Sequence, residues 1–496
     1  MWNIFSISIA FGAIIVSIYL YITNYSYNYF KRKGIPYIQP TFPFGNGWEL
    51  FSGKKHSTFI FKEFYDVFKK MGAQIGGIYT LTSPTLVTIH LDIVRTIIVK
   101  DFDYFNSAGG YYNEEVDPLS ANMLNLHGEK WKTIRSKLTP TFTSGKMKQM
   151  FDLVKKATEP FERYLDSYIA RKEPVEARNL FSLYTVDSIG SCVFGLDCNS
   201  FEDQNHQFLK MGQRAMQFKG IQIAKSFFAF SFPDLAKRFR IKLTPDEVEE
   251  FFYGIVRKTI DVRRKTETER KDFIQLMMGL LDGKQVNFAE VVAESFLFFI
   301  GGFDTSATTG SFALFELAMN QEIQDRARNE VMEVIRKNGG ELTYDAIQDM
   351  KYVEQVIDET LRKHPAFGLL IRSCVKDYKI PDTEIVIDKG TQIIIPIHAF
   401  HHDPEYFPNP DLFDPERFND DNKNNIVPSS YLPFGDGPRK CLGLRFGLMQ
   451  AKLGLVRLLM NYKFKVNSKT KLPLEFNVES IALTVEGGIW LDIEKI

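Results

Sequence analysis

Apolar residues recur every three or four positions through most of the chain from about residue 92 to residue 363, a spacing that predicts amphipathic helices. Short β-like runs lie on either side of this region, at residues 77–79, 85–90, 384–387, 392–396 and 480–493. The pattern therefore predicts a mainly α fold with a minor β portion near both ends.

The N-terminal segment differs, because residues 4–22 are almost wholly apolar or small and no charged side chain precedes Lys31. As a helix this run is about 28 Å long, close to the ~30 Å hydrocarbon thickness of a bilayer. The basic run 31–33 follows, and basic residues favour the cytosolic side. A cleaved signal peptide is the alternative, but its basic leading region is absent and no clear cleavage site follows. We expect a single-pass anchor over residues 1–30.

Pro36, Pro40 and Pro43 stiffen the next segment and exclude a helix there. This segment is either a simple linker or a semi-rigid hinge that sets how the body meets the bilayer. We assign residues 31–46 to it. Residues 47–496 are assigned to a single large domain, because no Ser/Gly-rich linker, charge block or internal repeat divides the chain.

The charges balance, with 61 basic and 61 acidic residues, and give no reason to expect nucleic acid as a partner. No P-loop or G-x-G-x-x-G element indicates a bound nucleotide. The 4 cysteines include no C-x-x-C pair and are too few for a disulfide framework, which favours a reducing compartment. Cys192, Cys198 and Cys374 are interpreted as structural thiols.

Cys441 is different, because it lies in the glycine-rich run 434–443 and opens an amphipathic helical pattern. Glycines allow the backbone to approach a flat ligand that a Cβ would obstruct. The helix N-terminus and nearby cations such as Arg439 favour the thiolate over the thiol. Thiolate is an axial ligand that helps haem iron to cleave the O–O bond. Cys441 is therefore a candidate metal ligand.

Residues 287 to about 320 form one long apolar helical pattern, interrupted by Gly301-Gly302 and then by Asp304 and Thr305. Each glycine costs roughly 1 kcal/mol relative to alanine inside a helix. One interpretation is a kinked core helix whose acid finds a local partner. The other is a widened groove for a small ligand beside a proton-donating pair, and the thiolate motif elsewhere favours this groove.

Three E-x-x-R pairs place opposite charges one helical turn apart. Those at 267–270 and 333–336 are interpreted as exposed ion pairs. Only Glu359 and Arg362, near the end of a helix predicted over residues 344–363, lie just before the returning strands. Context therefore selects this last pair.

Two further patterns leave alternatives open. Trp131 and Arg135 share a helix face, either as a cation–π or stem-packing contact or as two donors for an anionic ligand group. The run His-His-Asp at 401–403 lacks further ligands at a suitable spacing, so we expect a solvated loop rather than a metal site.

Together these motifs resemble those of the cytochrome P450 family of haem-thiolate monooxygenases, in order and spacing over essentially the whole chain. The residues that fit the family's haem-binding signature are Phe434, Gly437, Arg439, Cys441 and Gly443. Those that fit its other motifs are Glu359, Arg362 and Arg417 of the E-x-x-R triad, Gly302, Asp304 and Thr305 of the oxygen-activation groove, and Trp131 and Arg135 of W-x-x-x-R. The segment 128–146 is most similar to animal microsomal family 3 and its invertebrate relatives. The resemblance implies a P450 fold preceded by a single transmembrane helix.

The resemblance also implies roles. Cys441 would be the iron ligand of haem b, shielded by Phe434, in a loop that includes Gly443. The haem propionates would be held by Trp131, Arg135, Arg372 and Arg439, since guanidinium groups pair bidentately with carboxylates. Asp304 and Thr305 would be the catalytic pair that steers protons to dioxygen. Gly301 departs from the alanine usual at its position, so we expect a slightly wider or softer groove.

The implied reaction is NADPH- and O2-dependent insertion of one oxygen atom into a lipophilic small molecule, such as a xenobiotic, steroid or fatty acid. Electrons would come from a separate flavoprotein reductase, with cytochrome b5 as a further partner, at the endoplasmic reticulum membrane. One alternative is a haem-thiolate isomerase or dehydratase acting on peroxides, and another is a non-catalytic haem carrier or sensor. The pair Asp304 and Thr305 favours the monooxygenase.

The surface and the pocket follow by analogy. A basic face is interpreted either as a docking site for an acidic redox partner or as a merely solvated surface; it comprises Lys130, Lys132, Lys137, Lys440 and Arg445. Substrate contacts are expected from 108–125, 227–232, 366–370 and 481–484, with Phe296, Phe299 and Gly302. This apolar set favours a lipophilic substrate. For 227–232, core packing or shallow membrane contact is an open alternative.

Overall fold

The computed structural model describes residues 4–217, 219–267, 270, 272–381 and 383–496. The α-helices in these ranges are α1 Ile4–Asn24, α2 Tyr29–Lys33, α3 Trp48–Ser52, α4 Ser57–Lys70, α5 Leu91–Arg95, α6 Gly128–Leu138, α7 Ser144–Lys156, α8 Phe161–Arg171, α9 Ala177–Ile189, α10 Gln207–Met216, α11 Ile221–Ser231, α12 Pro233–Arg238, α13 Asp246–Thr266, α14 Phe273–Asp282, α15 Phe288–Met319, α16 Gln321–Lys337, α17 Tyr344–Asp349, α18 Lys351–Lys363, α19 Ile397–His401 and α20 Leu444–Asn461. The strands there are β1 Ile75–Thr80, β2 Ser83–Thr88, β3 Val175–Glu176, β4 Leu370–Ser373, β5 Tyr378–Lys379, β6 Val386–Ile387, β7 Gln392–Ile395, β8 Tyr462–Val466 and β9 Trp490–Lys495. The mainly α prediction is confirmed.

The strands form small sheets that join distant parts of the chain. β1 and β2 make an antiparallel hairpin, β2 runs parallel to β7, and β7 pairs antiparallel with β4. β9 lies between β3 and β8, and β5 pairs with β6. The early and late strands of the sequence therefore share one sheet.

Apolar side chains gather into two main clusters. The larger one lies among the helices, with α15 running through it and packing along α9 and α20. The second surrounds the sheet of β1, β2, β7 and β4, and it includes Phe30, Tyr79 and Ile394. The functional motifs lie on elements from both clusters.

α15 spans 32 residues without interruption. A capping box starts it: the Asn287 side chain accepts from the Glu290 N–H at 2.9 Å, and the Glu290 carboxylate accepts from the Asn287 N–H at 2.7 Å. The predicted helix over 287–320 is confirmed.

The N-terminal helix leaves the body of the protein. Within the described chain, Ile9–Lys33 is the one helical stretch long and apolar enough to cross a membrane. Large apolar side chains along it are exposed, among them Phe11 at 65% and Ile14 at 55%. The predicted N-terminal apolar helix is confirmed.

The chain folds onto the body soon after this helix. Tyr27 and Phe30 are buried, and the Phe30 N–H donates to the Tyr79 hydroxyl at 3.1 Å. Lys33 forms an ion pair with Asp388, in the turn before β7.

The single helix predicted over 344–363 is wrong, since Met350 separates α17 from α18. Met350 is fully buried. Two N–H groups in the first turn of α18, those of Tyr352 and Val353, donate to the Glu330 carboxylate at 2.7 and 2.9 Å. A carboxylate from α16 thus caps a second helix start that the periodic pattern does not reveal.

The strand predicted over 480–493 is shorter than expected, because only β9, which begins at Trp490, forms in that region. Gly487 and Gly488 have φ of +77° and +82°, which no extended strand accommodates. Ser480 makes an isolated bridge to Gln217. The earlier part of the segment is therefore loop.

Candidate functional site

The loop before α20 presents Cys441. Gly437 has φ +68°, and a Cβ there would lie 1.9 Å from the Ile98 carbonyl oxygen, so only glycine fits. The Cys441 N–H donates to the Phe434 carbonyl at 2.9 Å and closes the loop. α20 begins at Leu444, so the cysteine stands just before a helix N-terminus, as the sequence indicates.

The 4 cysteines fall into two kinds. Cys192, Cys198 and Cys374 are buried, whereas Cys441 is exposed. Burial raises the pKa of each of the three buried thiols, which suits unreactive structural groups. Their structural interpretation agrees with this placement, and Cys441 is left as the thiol that a ligand can reach.

The electrostatics of Cys441 differ from expectation. The protein that surrounds the sulfur raises the pKa of the thiol by desolvation, and this outweighs the Gly443 N–H, Arg135 and Lys440, which lower it. Arg135 and Lys440, rather than the expected Arg439, are the cations that favour the thiolate, and they do not outweigh the desolvation. A coordinating metal deprotonates a thiol outright, so this sulfur suits a metal ligand.

The guanidinium groups of Arg135 and Arg372 both lie near that of Arg439, and Arg135 also lies near Cys441. Arg372 is 2% exposed. Its Nη1 donates to the Ile371 carbonyl at 2.8 Å, while its Nε and Nη2 have no hydrogen-bond partner among the described residues. Burial lowers the pKa of Arg372 to about 10, and burial with the two neighbouring guanidinium groups lowers that of Arg439 to about 9. A buried cation with unpartnered donors, as at Arg372, calls for an anion.

Trp131 lies beside Arg439, which is not the cation–π partner considered from the sequence. The Arg439 guanidinium lies 4.5 Å from the Trp131 ring centroid. Arg439 Nε also donates to the Asn106 carbonyl at 2.6 Å. Arg135, by contrast, donates from Nη2 to the Lys440 carbonyl at 2.8 Å. Trp131, Arg135 and Arg439 are thus brought to one region.

Asp304 is buried and ion-paired with Arg178 of α9. Arg178 Nη1 also donates to the Thr308 hydroxyl at 2.7 Å. The Asp304 Oδ2 atom has no hydrogen-bond partner within the described residues. The acid therefore has a partner, but one from another helix rather than a local one.

Thr305 is half-buried and donates to the Gly301 carbonyl at 2.6 Å. A Cβ on Gly302 would lie 2.2 Å from the Ile189 side chain and 3.8 Å from the Phe446 ring, whereas one on Gly301 would meet nothing within 4 Å. Gly302 therefore allows close packing on α9 and on the first turn of α20. This contact brings the Thr305 turn towards the loop that carries Cys441.

The predicted triad is present. Glu359 and Arg362 are fully buried and pair bidentately, with Nε to Oε2 at 2.7 Å and Nη2 to Oε1 at 2.8 Å. Arg417 Nε lies 3.4 Å from Glu359 Oε1. Arg362 also donates to the carbonyls of His401 at 2.9 Å and Pro410 at 2.8 Å. Context selected the right E-x-x-R pair.

The other two E-x-x-R pairs use different partners. Glu333 pairs with Lys337 at 2.6 Å. Arg270 lies 3.7 Å from the Asp272 carboxylate. The prediction that 267–270 and 333–336 form exposed ion pairs is therefore wrong for the described residues: Glu333 pairs with Lys337 instead of Arg336, and Arg270 lies beside the buried Asp272 instead of Glu267.

The prediction of a solvated loop at 401–403 is wrong. His401 ends α19 and is fully buried, and Asp403 is 4% exposed. Asp403 accepts from the Tyr65 hydroxyl at 2.6 Å and pairs with Lys69. Across the described ranges no group of three or more His, Cys, Asp or Glu residues has a metal-binding arrangement.

Two of the segments expected to contact substrate are in contact with each other. The Leu483 N–H donates to the Ala366 carbonyl at 2.9 Å, which joins 481–484 to 366–370. Phe299 is fully buried and packs 5.3 Å from Phe252. Phe227 packs 5.6 Å from Phe51. Contacts within the protein therefore account for the placement of Phe227 and Phe299.

Comparison with known proteins identifies the family. The Cytochrome P450 family model matches residues 40–491. The chain belongs to the cytochrome P450 family. It is 41% identical over 493 residues to "Probable cytochrome P450 6a23" of Drosophila melanogaster, covering 98% of each chain. It is 39% identical over 505 residues to "Cytochrome P450 6a8" of the same fly, covering 99% of each. The resemblance to invertebrate relatives of family 3 is confirmed, and the chain is a cytochrome P450 monooxygenase.

Members of the P450 family use haem as cofactor, and the donors of this chain fit it. The exposed thiol of Cys441 suits iron, and the buried, unpartnered donors of Arg372 suit a carboxylate. A Cβ on Gly443 would meet only the Phe142 ring, at 3.9 Å, so protein packing does not demand this glycine. A flat ligand packed against the loop would account for it.

Sequence reasoning missed two residues of this P450. Arg178 contacts Asp304 from 126 positions away, and no local spacing indicates that contact. Glu294 of α15 is wholly buried, and burial raises its pKa to about 8. Its Oε1 accepts from the Met123 N–H at 2.8 Å, while its Oε2 has no partner in the described chain. An acid in an apolar helix, the signal that revealed Asp304, was also available for Glu294.

Proposed function

We propose that this P450 uses O2 and electrons from NADPH to insert one oxygen atom into a lipophilic small molecule. The observation that carries the proposal is a convergence. The exposed thiol before α20 lies near Arg135, Arg439 lies near both Arg135 and the buried, partly unpartnered Arg372, and the acid–alcohol turn of α15 packs towards α20 through Gly302. Each suits one part of haem-thiolate chemistry.

Haem would be held by residues from three parts of the fold: the cysteine loop, α6 and β4. Cys441 would ligate the iron, with Phe434 shielding the sulfur and Gly443 leaving room for the ring. The propionates would be bound by Trp131, Arg135, Arg372 and Arg439. Guanidinium forks pair strongly with carboxylates, and such pairing would satisfy the buried donors of Arg372.

Haem, when bound, supplies the centre at which dioxygen is reduced and one of its oxygen atoms is transferred. The protein's own part is the handling of protons and water. The Thr305 hydroxyl donates a hydrogen bond to the Gly301 carbonyl. Asp304 lies one residue away with one carboxylate oxygen unpartnered in the described chain. The two would pass protons towards the distal side.

Electrons would come from a separate NADPH-dependent flavoprotein reductase, with cytochrome b5 as a further donor. Part of the basic face near Cys441 is available to an acidic partner. Lys130 is paired with Glu114 at 2.6 Å, whereas Lys440 and Arg445 are exposed close to the cysteine loop. Exposed cations steer an acidic partner chiefly by raising its association rate.

The exposed apolar helix α1 anchors the chain, and the membrane would be that of the endoplasmic reticulum with the catalytic domain on the cytosolic side. The basic residues 31–33 after the helix support this orientation. A body close to the bilayer has direct access to lipophilic substrates.

A reduced-CO difference spectrum tests the proposal directly. We expect the red-shifted Soret band of thiolate ligation in the wild-type holoprotein and its loss in Cys441→Ser. A wild-type protein without this band, or a Cys441→Ser protein that keeps it, contradicts the ligand assignment. Spectral shifts of the ferric haem with lipophilic compounds would then identify the substrate class.

Thr305→Ala tests the proton step. We expect haem content and CO binding to be retained, while a larger share of the NADPH consumed ends as hydrogen peroxide rather than product. Thr305→Ser, which keeps the hydroxyl, is the matched control and should stay near wild-type coupling. Unchanged coupling in the alanine variant would mean that another group delivers the proton.

A further inference from the structure

His401 is a buried side chain to which the proposed chemistry gives no role. It ends α19, is fully buried, and lies between the E-x-x-R helix α18 and the segment that leads to the cysteine loop. Its ring lies 5.4 Å from that of Tyr431. The Tyr431 hydroxyl in turn donates to the Asp358 carbonyl of α18 at 3.0 Å.

The hydrogen bonds of His401 define its tautomer. Nε2 lies 2.9 Å from the Leu432 backbone nitrogen, and a backbone N–H can only donate. Nε2 must therefore be the acceptor. Nδ1, which lies 3.0 Å from the Arg362 carbonyl oxygen, must carry the proton and donate it. One neutral imidazole thus joins α18 to Leu432.

The surroundings keep this imidazole neutral. Burial, followed by the charge of Arg362, lowers the pKa of His401 to about 3. A protonated ring would direct an N–H at the Leu432 N–H. The reverse bond, from Arg362 Nη1 to the His401 carbonyl at 2.9 Å, fixes the backbone of the same residue.

Leu432 begins a short series of bonds that ends at Cys441. Its carbonyl accepts from the Gly435 N–H at 3.0 Å, and the Phe434 carbonyl accepts from the Cys441 N–H at 2.9 Å. A displacement of Leu432 therefore alters the turn that places both Phe434 and the sulfur.

We propose that His401 is a positioning residue that couples the Glu359–Arg362 pair to the cysteine loop and so holds Cys441 in place for iron ligation. The inference rests on the proposal that Cys441 is the iron ligand. It assigns a role to His401, for which the sequence indicated none.

Two single substitutions separate positioning from general support. His401→Gln places its amide oxygen near the Nε2 position and keeps the acceptor for the Leu432 N–H, but it loses the side-chain bond to the Arg362 carbonyl. His401→Asn places its amide nitrogen near the Nδ1 position and keeps the side-chain bond to the Arg362 carbonyl, but it loses the acceptor for the Leu432 N–H. Each removes one buried hydrogen bond, so a merely structural role predicts similar effects.

The readout is the ratio of the thiolate band to the band of the protein that has lost thiolate ligation, in the reduced-CO spectrum of the holoprotein. We expect His401→Asn to lower this ratio roughly tenfold and His401→Gln to stay within about twofold of wild type, since a lost buried bond shifts an equilibrium by about that factor. Equal ratios in the two variants overturn the proposal.

His402→Phe is the matched control for His401→Phe. His402 follows α19 directly; its ring stacks on that of His398 with the ring centroids 3.9 Å apart and bonds to the His398 carbonyl. We expect only His401→Phe to lose the thiolate band. A comparable loss in both variants contradicts the specific role of His401.

A measurement on the wild type needs no variant to fold. In hydrogen exchange of the holoprotein, the Leu432 and Cys441 amides should be protected as strongly as core amides of α18. Exchange of Leu432 as fast as in the exposed turn Lys423–Asn425 overturns the proposal. Absence of a thiolate band in the wild type would instead refute the ligand assignment, so the two failures are distinguishable.

Discussion

Two buried arginines show how two regions of the molecule differ. Arg362 belongs to the scaffold around the Glu359 pair, and Arg372 belongs to the region where we propose that haem binds. Arg362 is fully buried and donates from all three of its guanidinium nitrogens to the Glu359 carboxylate and to backbone carbonyls. Arg372 is equally inaccessible, but two of its nitrogens have no partner in the described chain. The same side chain is thus satisfied by protein at one position and not at the other. Burial alone does not reveal a ligand site, whereas burial without partners does.

The largest expected effect on stability comes from removing Arg362, the arginine whose guanidinium nitrogens all have partners within the protein. Arg362→Ala leaves the Glu359 carboxylate buried without its bidentate partner, which costs about 3–5 kcal/mol of stability. We expect little or no folded holoprotein, measured as soluble yield and as thermal unfolding of what remains. A loss below ~1 kcal/mol would mean that Arg417 and backbone donors suffice for Glu359.

The comparison extends to carboxylates, since Glu359 is paired and Glu294 has one oxygen without a partner in the described chain. Burial raises the pKa of Glu294 to about 8, so the folded protein keeps a proton that the unfolded chain releases above about pH 4.5. Its contribution to stability is complete below that pH and is lost as the pH rises towards 8. We expect wild-type stability to fall by about 3 kcal/mol from near pH 5.5 to near pH 8 through this group.

Glu294→Gln checks that sign. The amide oxygen still accepts from the Met123 N–H but does not titrate, so the variant should have a flatter stability profile than wild type across the same pH range. Parallel profiles from thermal melts of the two proteins would contradict the assignment of the raised pKa to Glu294.

Two guanidinium nitrogens of Arg372 have no protein partner in the described chain, so Arg372→Met should leave the fold intact and weaken haem retention. Charge-assisted hydrogen bonds contribute about 1.5–3 kcal/mol, so haem loss to an excess of a haem-free globin should become roughly 10–150 times faster. Arg372→Lys keeps the charge but not the fork and should lie between. An unchanged rate would exclude Arg372 as a propionate ligand.

The smallest effect is expected at Gly301. A Cβ there would meet nothing within 4 Å, so Gly301→Ala should fold normally and gain up to about 1 kcal/mol from better helix propensity. The matched variant Gly302→Ala would place its Cβ 2.2 Å from Ile189 and should be destabilising. Similar stability of the two variants would contradict the described packing of α15.

Much of the fold and the site was predictable because its signals are local. Asn287 and an apolar run define the start of α15, and the glycine turn before Cys441 reflects backbone geometry that only glycine adopts. Position along the chain was enough to choose Glu359 and Arg362 over two identical patterns.

The remainder depends on contacts between distant residues. Arg178 reaches Asp304 from α9, the Glu330 carboxylate starts α18, and His401 is buried because α18 and the cysteine loop enclose it. None of these partners is within a helical turn of the other, so periodicity and spacing carry no trace of them. The pKa of Cys441 was misjudged for the same reason, since the desolvation of its sulfur depends on the whole fold.

The docking of residues 27–33 on the body has a practical consequence for making a soluble form of the enzyme. Deletion up to about residue 24 would remove the apolar helix α1 and keep Phe30, whose ring covers Gly77, together with the Lys33–Asp388 ion pair. Deletion as far as the proline segment would instead uncover the hairpin of β1 and β2 and expose an apolar surface that promotes aggregation. The shorter deletion is the better choice for purification without detergent.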